Sequence, residues 1–138
     1  MTAEQTGGLG GASQGAGGPG RILVVDDEPA LGTLVQRALE PLGYAVQVTS
    51  HARVFKQLFE SFEPTAVIID IVMPDVDGIE LIRWIAARNT DVRVIIASGS
   101  KSEYAKAATL LGTAAGIKSI ANLRKPLSIT ELREAVKS

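Results

Sequence analysis

Short apolar runs alternate with segments of helical period along most of this chain, and that alternation limits its fold more than any other feature. "RILVV" (21–25) is a continuous apolar run stopped by acids, the pattern of a strand buried on both faces. "PALGTLVQRALEPLG" (29–43) follows, with Leu31, Leu34, Val35, Ala38, Leu39 and Leu42 at helical spacing, Pro29 in a first-turn position and Gly43 near the end. The alternation continues with a strand at 44–49, a helix at 51–62 striped by Phe55, Phe59 and Phe62, a strand at 65–69 and a helix at 78–88. A strand at 92–97, a helix at about 101–115, a weaker strand at 117–123 and a helix at 129–137 complete five βα units. Ser100-x-x-Glu103 and Ser128-x-x-Glu131 have capping-box spacing and mark two helix starts, and Asp77-x-x-Glu80 marks a third.

Apolar strands alternating with helices imply a parallel sheet covered on both faces and joined by right-handed crossovers. For a chain of 138 residues, the five-stranded doubly wound order 2-1-3-4-5 fits best. The 46% hydrophobic content supplies an ordinary core for one α/β domain over 21–138. Residues 1–20 hold eight of the 14 glycines and almost no large apolar side chain, so they are expected to be a disordered tail or an expression remnant. Gly15, Gly17 and Gly20 match G-x-G-x-x-G, but the match precedes a strand instead of following one, which removes the dinucleotide reading.

A net charge of −1 with intermixed acids and bases leaves no electrostatic footprint for direct binding of nucleic acid or a membrane surface. With no cysteine, disulfide and thiolate chemistry are absent. There is no apolar run of about 18 residues and no signal-peptide pattern, so the cytoplasm is the expected location.

Ligands of doubly wound sheets bind beyond the carboxyl ends of the strands. Applied to this chain, the rule selects Asp26 and Asp27 after strand 1, Asp70 at the end of strand 3, Ser98 after strand 4 and Lys125 after strand 5. Three carboxylates this close would force a proton onto one of them unless a cation is present. One Lys125 charge and one divalent ion bring the sum to zero. Oxygen ligands select a hard cation, and few protein ligands with room for water and phosphate favour Mg²⁺ over Ca²⁺. A carboxylate beside such an ion can act as a nucleophile toward phosphorus, with Ser98 donating to a phosphoryl oxygen and Lys125 pairing with another. Taken singly, these residues have ordinary structural explanations: Asp27 or Glu28 capping the first helix, Lys125 solvated at the surface.

"ILVVDDEP", "IIDIVMPDVDGIELI", "VIIASG" and "LRKPL", in that order, make residues 21–137 resemble the receiver domain of two-component response regulators, a flavodoxin-like (αβ)5 fold. The resemblance implies that Asp70 accepts a phosphoryl group from a sensor histidine kinase or a histidine phosphotransfer protein. Asp27, Asp70 and the Val72 backbone carbonyl would hold Mg²⁺, with Asp26 acting mainly through water. It also implies phosphoryl binding by Ser98 and Lys125 and a cis Lys125–Pro126 bond. Such a domain is a phosphoacceptor and not an enzyme beyond promoting its own phosphorylation and dephosphorylation. Its helix 4, strand 5 and helix 5 face would regulate a protein partner, with phosphorylation-dependent homodimerisation one outcome.

Three departures accompany the resemblance. Asn122 stands where the family usually has the Tyr or Phe of its aromatic switch, and Tyr104 could substitute only if helix 4 brings it near. The stretch from Ser98 to Lys125 is longer than usual. No effector domain follows Ser138, as in a single-domain regulator or an excised piece. Gly99 would leave the phosphate entrance open, and Val72 and Ser100 hold positions that tune dephosphorylation in the family.

Rival readings meet specific obstacles. Asp75-Val76-Asp77-Gly78 matches the D-x-D-G of haloacid-dehalogenase phosphatases, yet Met73 and Pro74 separate it from the strand, Ile79 follows the glycine, and the acid pair precedes the motif. An EF-hand alignment on Gly78 puts Met73 at the first ligand position and Trp84 where the bidentate Glu belongs. His51 lacks the helical-bundle setting of a phosphorelay histidine. A degenerate receiver serving as a phosphorylation-independent docking module is the remaining alternative.

Overall fold

The computed structural model describes residues 20–73, 76–89, 91–99 and 103–137. Most of the Gly-rich segment, as well as Pro74, Asp75 and the Ser100 cap, lies outside the described residues. Five parallel strands, β1 (Arg21–Val25), β2 (Ala45–Thr49), β3 (Ala66–Asp70), β4 (Arg93–Ser98) and β5 (Ile120–Arg124), form one sheet in the order β2-β1-β3-β4-β5. Between and after them run α1 (Pro29–Leu39), α2 (Ala52–Phe62), α3 (Gly78–Arg88), α4 (Glu103–Ala114) and α5 (Ile129–Lys137).

Side chains alternate across a strand, and here that alternation divides the core in two. Leu23, Val25, Val67, Ile69, Val94 and Ile96 face one side, where Phe55 and Phe59 of α2, Leu81, Ile82 and Ile85 of α3, and Ala105 and Ala108 of α4 cover them. Ile22, Val24, Ala66, Ile68, Ile95 and Ala97 face the other, under Leu31, Val35 and Leu39 of α1 and Leu132 of α5. Both faces of β1, β3 and β4 are therefore dry, which is why their sequences are apolar throughout. The edge strands β2 and β5 are partly exposed and correspondingly more polar. Among the described residues, no helix is long and apolar enough to cross a membrane.

The first helix stops at Leu39, short of the periodic pattern, and a 3₁₀ turn, Glu40–Leu42, takes over. Pro41 explains the change, since it has no amide to donate and its ring crowds the preceding turn. β5 begins at Ile120, later than the apolar pattern suggests. The intervening residues close α4: Gly116 is left-handed (φ 102°), its amide bonds Thr113 O at 3.1 Å, and the Ile117 amide bonds Gly112 O at 3.0 Å. A small antiparallel ribbon, Val72–Met73 with Val76–Asp77, had no signal in the sequence, because two-residue strands carry too little periodicity to read.

The capping assignments at two helix starts hold. Asp77 Oδ1 accepts from the Ile79 and Glu80 amides at 3.0 and 3.4 Å, and Ser128 and Glu131 exchange side-chain bonds with each other's amides. Trp84 packs edge-on against Phe59 with the Arg88 guanidinium 3.8 Å from its ring centre, a packing role.

Leu132, with no exposed surface, is the buried anchor of α5. Leu132→Ala is expected to lower the unfolding free energy by about 3 kcal/mol, read as a lower urea midpoint at an unchanged m-value.

Candidate functional site

Three features bring acidic groups to one edge of the sheet. The Asp26 amide donates to Thr49 O at 3.1 Å, which extends the β1–β2 pairing to the last residue before the chain turns. β3 pairs with β1 through Val25 and Ile69 and with β4 through Asp70 and Ala97. β1 and β3, distant in sequence, are adjacent in space, so their terminal carboxylates meet at the point where the strand order reverses. Asp26, Asp27 and Asp70 each offer an oxygen lying within 4.8 Å of the others.

The three differ in surroundings. Asp26 and Asp70 are buried, at 3% and 4% exposure, and Asp27 is open to solvent. Asp26 Oδ1 accepts the Glu28 amide at 2.8 Å, forming the turn into α1. Asp26 Oδ2 is buried without a hydrogen-bond partner. Burial, reinforced by the neighbouring Asp70 charge, raises the Asp26 carboxyl from its ordinary 3.8 to about 6, against the opposing effects of the Glu28 amide and Lys125.

Lys125 approaches from β5. Its amide bonds Ser98 O at 2.7 Å, which aligns the end of β5 with the end of β4. Its Nζ lies 3.2 Å from Asp70 Oδ2, 3.7 Å from Asp26 Oδ2 and 4.0 Å from Glu28 Oε1. Burial opposes the ammonium charge, but the bond to Asp70 and the fields of Asp70, Asp26 and Glu28 outweigh it and hold the lysine above its usual range. The Lys125–Pro126 peptide is cis.

Ser98 ends β4 and is 7% exposed. A Cβ built on Gly99, directly after Ser98, would have nothing within 4 Å among the described residues. Val72 sits in the ribbon that leaves Asp70, paired with Asp77. Asn122 lies away from the acids on β5, its amide donating to Thr109 Oγ1 of α4 at 2.6 Å. Tyr104 does not occupy the region of Asn122; its hydroxyl donates to Asp77 Oδ1. Glu28 makes no side-chain cap on α1 and turns toward Lys125 instead. The Asn122–Thr109 and Tyr104–Asp77 pairs have no sequence signal, because each depends on how α4 is seated against the sheet and α3.

An all-oxygen set with one orphaned buried oxygen and one solvent-exposed member suits a hard divalent cation that keeps part of its water. One such ion would also offset the burial and the Asp70 charge that raise the Asp26 carboxyl.

Comparison with known proteins agrees with this architecture. The family model for the response regulator receiver domain matches residues 22–137. Over 76 residues the chain is 42% identical to the transcriptional regulatory protein TrcR of Mycobacterium tuberculosis, covering 55% of this chain and 29% of that protein. It is 33% identical over 114 residues to the response regulator MprA of Mycolicibacterium vanbaalenii, covering 83% and 47%. A response regulator receiver domain protein from Clostridium thermocellum superposes with a TM-score of 0.71 at 27% identity, covering 84% of this chain and 90% of that one. The chain thus spans about half or less of the length of these curated relatives and nearly all of the receiver structure. With the family match running from β1 through α5, this chain belongs to the response regulator receiver domains.

Proposed function

We infer that this domain takes part in phosphorelay signalling by accepting a phosphoryl group on Asp70 in a Mg²⁺-dependent reaction. The observation that carries this reading is the convergence of Asp26, Asp27 and Asp70 within 4.8 Å, with the Lys125 ammonium 3.2 Å from Asp70. Asp26, Asp27, Asp70 and the Val72 carbonyl would hold the ion. Bound Mg²⁺ supplies charge neutralisation and orientation for phosphoryl oxygens.

In the transfer, an Asp70 carboxylate oxygen forms the new O–P bond as the N–P bond of a phosphohistidine breaks and the imidazole leaves with the electron pair. Lys125, already paired with Asp70, offers its ammonium to the oxygens of the arriving group. The Ser98 hydroxyl can donate to another of them. Positioning and electrostatics account for most of the expected rate gain. The donor is a sensor histidine kinase or a histidine phosphotransfer protein, and the output is a change in the face formed by α4, β5 and α5 that alters binding of a protein partner or a second copy. Such an output requires that the two conformations differ in affinity for both phosphate and partner.

The open space at Gly99 supports entry of small phosphodonors. Intact-mass analysis after incubation with acetyl phosphate and Mg²⁺ is expected to show one phosphoryl adduct on the wild type and none on Asp70→Asn or in EDTA. An adduct that persists in Asp70→Asn refutes the assignment. Wild type that stays unmodified, with acetyl phosphate and with a phosphohistidine donor alike, turns the reading to a docking module.

The acid cluster also has a stability cost in the absence of metal. Folded Asp26 takes up its proton near pH 6 and the unfolded chain near 3.8, so its ionisation destabilises the fold fully above about pH 6. In EDTA, Asp26→Asn keeps the oxygen that accepts the Glu28 amide. It should raise stability at pH 7.5 by about 1 kcal/mol, a value reduced for the solvent-open side of the cluster. Thermal melts should show the gain shrinking as pH falls from 6 toward 4, and saturating Mg²⁺ should stabilise wild type more than the variant.

A further inference from the structure

The two ends of α4 are held very differently. At the carboxyl end, the Gly116 turn closes the last carbonyls and buries Ile117. Gly112 lies so close to its neighbours that an added Cβ would sit 2.5 Å from Ile120 Cδ1 and 3.1 Å from Ile82 Cγ2. One turn earlier, Thr109 accepts the Asn122 amide and binds α4 to β5. Toward the amino end, the buried side chains are those of Ala105 and Ala108, which remove little apolar surface from water.

Among the described residues, the polar side-chain link from this first turn to another element is made by Tyr104. Its hydroxyl donates to Asp77 Oδ1 at 2.5 Å, and the same oxygen accepts the Ile79 and Glu80 amides. One carboxylate oxygen therefore caps α3 and grips α4. The bond pulls the Asp77 carboxyl below its usual range and pushes the Tyr104 phenol above its own. Asp77 ends the ribbon that leaves Asp70, and Tyr104 lies in the helix that follows Ser98.

We propose that Tyr104 is a positioning residue whose bond to Asp77 clasps the first turn of α4 in the unphosphorylated arrangement, and that phosphorylation at Asp70 opens this clasp while the Gly112 end of α4 stays fixed. The proposal rests on the Asp70 reading above. The two partners belong to the chain segments leaving Asp70 and Ser98, so a phosphoryl group held by both residues changes the separation the bond requires. Tyr104 is 39% exposed, and a polar contact that open to water is weak enough for a modest difference in ligand affinity to break. Asn122 cannot take this role while its amide is engaged by Thr109.

The test uses fluoroberyllate with Mg²⁺ as a stable stand-in for the phosphoryl group, titrated against wild type, Tyr104→Phe and Asp70→Asn by calorimetry, with amide hydrogen exchange followed in the free proteins and in fluoroberyllate-bound wild type. Phenylalanine fills the same volume and removes only the hydroxyl. Tyr104→Phe is expected to bind about fivefold more tightly, since the clasp no longer opposes binding. Exchange at residues 103–106 should be faster in this free variant than in free wild type and similar to that of fluoroberyllate-bound wild type. Wild-type affinity or wild-type exchange in Tyr104→Phe overturns the clasp, and if Asp70→Asn is inert the Asp70 reading survives that result. Equal fluoroberyllate binding by Asp70→Asn overturns the Asp70 reading and, with it, the clasp as a regulator of that site.

Discussion

Asp26 and Asp70 are buried side by side at the switch point of the sheet, and one ammonium lies between them. Two carboxylates and a lysine leave a net negative charge in a place with little water, and the local structure is arranged around that excess. The Glu28 amide is spent on Asp26 Oδ1, the Ser98 carbonyl holds the Lys125 backbone in reach, and Asp26 Oδ2 has no hydrogen-bond partner. An apolar core could not keep such a group without a compensating ligand, whereas a site that binds a cation and then a phosphoryl group requires it. The burial and the Asp70 charge that raise the Asp26 carboxyl are the terms a bound cation would offset.

The sheet makes this possible through its closely packed centre. β1, β3 and β4 are buried on both faces by helices, so the ends of those strands are fixed by the best-packed part of the molecule. The side formed by α4 and β5 is built differently. β5 is a partly exposed edge strand, and α4 meets the core through alanines and a glycine. Polar links, Asn122 to Thr109 and Tyr104 to Asp77, stand where larger apolar contacts would have made the helix rigid. Rigid strand ends beside a lightly held helix are what a small change at Asp70 needs if it is to be felt at a surface.

Legibility followed burial. "RILVV", "AVIID" and "RVIIAS" are apolar on both alternations because both of their faces are covered, and they could be recognised without knowing their neighbours. Asp26, Asp70 and Ser98 were visible for the same reason, as polar residues that end apolar runs. β5 was located less well, since "IANLR" mixes polar and apolar side chains and Ile117, which looks like part of a strand, serves to close α4. Pro41 should have ended the first helix early, but the leucines around it kept the helical period. The ribbon between Asp70 and α3 was beyond reach because two residues per strand contain no pattern.

By itself the sequence determined the five βα units, the strand-end acids and the helix caps at Asp77 and Ser128, all of which depend on residues within one element or its ends. Tertiary structure decided which distant residues meet. The pairing of β1 with β3 puts Asp26 beside Asp70, the alignment of β5 on β4 delivers Lys125, and the seating of α4 gives Thr109 to Asn122 and Asp77 to Tyr104. These contacts join residues far apart in the chain, and their geometry follows from register and helix placement, which packing of the whole core sets and no local pattern encodes.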